Sequence, residues 1–114
     1  MNSGEYPFRD LKPASVWKHF AELCRIPRQS KHEEAVRDFL KQWASSQGLE
    51  NRVEAGGNLI IKKPASAGYK NAPGVILQAH LDMVCQKNEG VEHDFSKDPI
   101  KPVVRDNLVL AEDT

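Results

Sequence analysis

Apolar residues recur at helical spacing in two stretches near the start of the chain. Val16, Phe20, Leu23 and Cys24 mark an amphipathic helix over residues 14–25, with Pro13 at its first position and Pro27 beyond its end. Ser30-Lys31-His32-Glu33 has the form of a capping box, with Ser30 as the cap and Glu33 reaching back. Val36, Phe39, Leu40 and Trp43 then form one stripe, and Gly48 is placed to end that second helix. After Gly48 the period changes. Arg52-Val53-Glu54 and Asn58 to Lys63 read as two strands joined at Gly56-Gly57. Val75 to Ala79 is apolar apart from Gln78, without alternation, as in a strand covered on both faces. Residues 85–99 are polar and irregular. Val103 to Arg105 and Leu108 to Leu110, around Asp106-Asn107, predict a hairpin with a two-residue turn.

This order predicts an α/β fold: two N-terminal helices followed by a mixed sheet. A strand buried on both faces needs a layer over each. Two helices cover one face, and no third helix is evident, so the sheet is expected to be incomplete. The chain also stops at Ala111-Glu112-Asp113-Thr114, just after a strand and with no closing element. There are no repeats and no convincing linker, so residues 1–114 are treated as one domain portion.

Composition narrows the function classes. Apolar residues at 39% and charged residues at 28% fit a globular chain. Sixteen basic side chains balance sixteen acidic ones, which argues against nucleic acid or an anionic membrane as the main partner. The polar start, Met1 to Tyr6, lacks an apolar signal core. No apolar run approaches the roughly 18 residues of a membrane span, so a cytoplasmic location is expected. Cys24 and Cys85 have no C-x-x-C spacing and read as two free thiols in a reducing compartment. Cys85 lies three residues after Asp82, close enough in sequence to line the same cavity.

The candidate chemistry is the pair His80-x-Asp82 at the end of the apolar run. Histidine ligates transition metals, and an aspartate two residues along a strand lies on the same side and can reach its second ring nitrogen. Strand ends of open α/β sheets commonly carry ligand sites. By chance alone an Asp follows some His at this spacing in roughly one such sequence in four. The residues are therefore equally compatible with a metal site and with a buried histidine satisfied by a carboxylate. His19 and His32 read as surface residues of helices. His93-Asp94 reads as a loop-ordering pair or part of a substrate pocket, and Lys87-Asn88 and Lys97-Asp98 as solvated loop residues. Arg28 is a weak candidate for a substrate carboxylate. There is no phosphate-binding glycine loop and no nucleophile elbow.

Several separate motifs nevertheless occur in order. Ile26 to Glu34, Gly57 to Ile61, Leu77 to Val84 with Gln86-Lys87-Asn88, His93-Asp94-Phe95 and Lys97 to Ile100 resemble the aminoacyl-histidine dipeptidases. These are also called cytosol nonspecific dipeptidases, within the di-zinc carnosinase-like peptidases. The resemblance runs from about Val16 to Asp113.

It implies a metal-dependent dipeptidase acting on dipeptides such as Xaa-His, with two divalent metals, zinc or alternatively cobalt or manganese. His80 would be a metal ligand, and Asp82 the catalytic residue that orients it. In such sites a metal lowers the pKa of bound water and a glutamate serves as general base. Peptidases of this group often form dimers. The family's bridging aspartate lies in a Leu-Gly-Ala-Asp-Asn-Gly run, followed by a Glu-Glu pair, a further Asp and a distant His. None has a counterpart in this chain, and Glu33-Glu34 belongs to a helix start instead. The expectation is an incomplete, N-terminal part of a metallopeptidase catalytic domain, inactive alone. The competing expectations are a non-catalytic assembly module and a truncated product without activity.

Overall fold

The computed structural model describes residues 6–114; the start of the polar N-terminal stretch, Met1 to Glu5, lies outside them. Six elements follow in order: α1 (Ala14–Cys24), α2 (Glu34–Ser46), β1 (Glu50–Val53), β2 (Leu59–Lys62), β3 (Lys101–Arg105) and β4 (Leu108–Glu112). They fall into two compact units. The first comprises residues up to Val36 together with Asp82–Thr114, and the second Arg37–Leu81. None of the helices among the described residues is long and apolar enough to cross a membrane.

In the first unit α1 begins behind Pro13, which is extended and serves as N-cap instead of first helical residue. Proline offers no capping side chain, and the first turn has no acid, so local signals hold this helix weakly. Aromatic packing replaces them. Phe8, only 1% exposed, sits 5.1 Å from Trp17 and 5.6 Å from Phe20 between ring centres. The Cys24 carbonyl accepts from the Ile100 amide at 2.9 Å, tying the start of β3 to the end of α1. β3 and β4 pair antiparallel from Lys101↔Glu112 to Arg105↔Leu108. Their two-residue turn places Asp106 at a φ of 52°. A primed turn demands this left-handed conformation, and aspartate tolerates it.

The second unit holds most of α2 and the β1–β2 hairpin. α2 ends in a Schellman motif: Leu49 N–H donates to Ala44 O at 2.9 Å and Gly48 N–H to Ser45 O at 3.0 Å. Gly48 is the residue with positive φ that this ending needs. β1 and β2 pair antiparallel from Glu50↔Lys62 to Val53↔Leu59. Gly57 closes their turn at a φ of 87°, and Arg37 Nη1 donates to its carbonyl at 3.3 Å. A Cβ there would meet the same guanidinium at 3.1 Å, so glycine serves both the turn and the close approach.

Two helices and small sheets make an α/β fold, as the pattern predicts. The strand pairing within each sheet is antiparallel, and Gln29↔Met83 adds one isolated parallel bridge. The expected strand over Val75–Ala79 does not form, and it is not buried. Val75, Ile76 and Leu77 are 83%, 92% and 93% exposed, outside any helix or strand. β2 and β4 each receive a partner across a short turn. The Val75 run has no such neighbour among the described residues, so its backbone groups face water.

Candidate functional site

His80 lies at the end of the exposed run, in the second unit, and is itself exposed. Asp82 belongs to the first unit and is half-buried. Ser30 Oγ donates to Asp82 Oδ2. Beside it the Met83 amide donates to the Arg28 carbonyl at 2.8 Å, and the Cys85 thiol lies 3.6 Å from the Met83 carbonyl. Residues Arg28 to Ser30 and Asp82 to Cys85 are therefore laced together by backbone and side chain. A hydroxyl donating to an ionised carboxylate makes a strong, directional contact. It fixes one oxygen of Asp82.

The role of Ser30 differs from the capping box read in the sequence. α2 starts at Glu34, and the Glu33 carboxylate accepts from the Lys31 amide at 2.7 Å. Ser30 instead serves a residue 52 positions away. No spacing rule announces such a contact. Next to it, Lys31 adopts a φ of 70°, a left-handed conformation uncommon for a non-glycine residue.

The other candidates are placed as solvated or loop-ordering groups. His19 is exposed on α1, with Nδ1 3.1 Å from Glu22 Oε2. His32 is exposed ahead of α2, its amide donating to Gln29 O at 3.0 Å. Asp94 organises the irregular stretch. It accepts from the Ser96 hydroxyl at 2.6 Å and the Ser96 amide at 2.9 Å, and pairs with Lys97 at 3.3 Å. These donors lower its carboxyl from 3.8 to about 2. His93 packs against Phe95 with ring centres 4.5 Å apart and planes tilted by 59°, and its Nε2 is buried without a hydrogen-bond partner. Lys87 Nζ reaches the His93 carbonyl at 3.1 Å. Both cysteines are free thiols. Burial raises the Cys24 thiol, and the Arg28 charge partly offsets that rise.

Among the described residues no group of three or more His, Cys, Asp or Glu side chains is close enough to hold a metal ion.

No family model matches the chain. It is 45% identical over 104 residues to a cytosol non-specific dipeptidase of Escherichia coli (strain K12), covering 91% of this chain and 21% of that protein. The crystal structure of aminoacylhistidine dipeptidase from Vibrio alginolyticus superposes with a TM-score of 0.87 at 48% identity. That match covers 90% of this chain and 21% of the other. The chain spans about a fifth of the length of these relatives.

Proposed function

We propose that this chain, related in sequence and fold to the aminoacylhistidine and cytosol non-specific dipeptidases over nine-tenths of its length, forms part of the catalytic domain of a dipeptidase. The observation that carries the reading is the joint match: 48% identity with a TM-score of 0.87 against a dipeptidase of solved structure. The substrates are dipeptides, Xaa-His among them, and the enzyme works in the cytoplasm as a single subunit or a dimer. Two divalent metal ions, zinc in the first instance, serve the complete site. His80 contributes one ligand. Asp82, held by Ser30, orients that ligand and supports catalysis. The remaining ligands and the general base lie outside this set of residues, so the chain by itself does not hydrolyse dipeptides and binds zinc weakly.

A hybrid enzyme tests this reading. The matched fifth of the E. coli relative is replaced by this chain and assayed on a Xaa-His dipeptide. The hybrid is expected to be active. Asp82→Ala costs about 10–100-fold in activity, the usual effect of removing a partner that orients a metal ligand, and His80→Ala costs more. A folded hybrid without activity, or one indifferent to His80→Ala, would sink the proposal.

A further inference from the structure

We propose that Ser30 is a positioning residue of the dipeptidase site: its hydroxyl locks the Asp82 carboxylate in one rotamer, and the Gln29–His32 turn is built to deliver it. The inference rests on the dipeptidase reading and gives that turn a task within it. Three observations carry it. First, the Met83 amide donates to the Arg28 carbonyl at 2.8 Å, and Gln29 and Met83 form a parallel bridge. These main-chain contacts already align the two stretches, so the Ser30 hydroxyl on Asp82 Oδ2 is not needed to hold them together. What it adds is a restraint on the Asp82 side chain, which the backbone alone leaves to choose among staggered wells.

Second, the turn sets Ser30 at its corner. The His32 amide donates to the Gln29 carbonyl at 3.0 Å, and Lys31 takes a φ of 70°. That conformation is unfavourable for a residue with a Cβ, and here the Glu33 carboxylate holds it by accepting from the Lys31 amide at 2.7 Å. Ser30 stands ahead of the cap position of α2, which starts at Glu34, so its hydroxyl is not engaged in capping. Third, the same chemical contact elsewhere in the first unit is purely local. Ser96 Oγ donates to Asp94 two positions away and closes an exposed turn. Ser30 reaches across 52 positions to a half-buried carboxylate. Without the lock Asp82 stays in place but spreads over several rotamers, and only a fraction of the molecules present it correctly to His80 in the complete enzyme. Dipeptide binding does not run through Asp82, so the loss falls on kcat and spares KM.

Side-chain couplings measured by NMR on the isolated chain read the Asp82 rotamer directly. A single rotamer is expected in the parent and in Ser30→Thr, which keeps the hydroxyl, and an average over rotamers in Ser30→Ala. In the hybrid enzyme, Ser30→Ala is expected to lower kcat for a Xaa-His dipeptide about tenfold with KM unchanged, and Ser30→Thr to recover most of the loss. Ser96→Ala removes the local hydroxyl–carboxylate contact and leaves kcat unchanged. A single Asp82 rotamer in Ser30→Ala, or a kcat loss in Ser96→Ala or Ser30→Thr equal to that in Ser30→Ala, overturns the proposal. An active hybrid that needs His80 but is indifferent to Ser30→Ala overturns positioning and leaves the dipeptidase reading standing. A folded hybrid without activity, in a chain whose Asp82 rotamer still answers to Ser30, removes the dipeptidase reading and leaves the lock.

Discussion

Phe8 and Ile76 are both large apolar residues, and the chain treats them oppositely. Phe8 is 1% exposed and Ile76 92%. The difference is where their partners lie. Phe8 meets Trp17 and Phe20, which the first turns of α1 bring within reach of a residue only about a dozen positions earlier. The same holds for β2, whose partner strand lies across one short turn. Ile76 sits in a run of equal strand propensity with no partner a short turn away. Apolar composition marks a segment for burial, but pairing and cover decide whether it is buried. Among the described residues Phe8 is closed over by near neighbours in sequence, while the Val75 run is left without a pairing strand.

Mutations sharpen that contrast. Phe8→Ala removes the centre of the aromatic cluster and is expected to cost about 3–5 kcal/mol, the usual range for a buried phenylalanine. Urea unfolding followed by Trp fluorescence measures it, since Trp17 packs directly on Phe8. Ile76→Ala removes a side chain already in water and is expected to stay within about 0.5 kcal/mol of the parent. Comparable losses at the two positions would show that the Val75 run is closed in solution after all.

A smaller effect belongs to the Asp94 turn. Its Ser96 and Lys97 partners hold the carboxyl at about 2 in the folded chain. A depressed folded pKa contributes stability that is full above the unfolded aspartate value of about 4 and is lost as pH falls through the folded value. The Ser96 amide resonance is therefore expected to hold its folded position at about pH 3 and to move only as pH approaches about 2. Asp94→Asn abolishes that transition. A midpoint near the ordinary aspartate value would mean that the turn is not formed.

Much of the architecture is legible in the sequence because it is local. The helices α1 and α2, the Gly48 ending and the Asp106-Asn107 turn are each read from a few neighbouring residues, and each is found, although Val16 and Phe20 of the α1 stripe stay exposed. Three features are not legible. Phe8 lies in a turn without periodicity, so nothing in its surroundings marks it as a core residue. Ser30 looks like a helix cap, yet its hydroxyl goes to Asp82 across 52 positions. Val75–Ala79 announces a strand, but composition alone cannot show which neighbours it needs. The candidate site suffers likewise. His80 and Asp82 stand out as a pair, while the ordering of Asp82 by Arg28–Ser30 comes from a distant stretch.

Amide hydrogen exchange on the isolated chain tests the central claim, that local elements close while the segment leading to His80 stays open. The amides paired in β1–β2 and β3–β4 are expected to be protected, and those of Val75 to Ala79 to exchange at the rate of an unstructured peptide. Protection of Val75–Ala79 equal to that of the two hairpins would contradict the account.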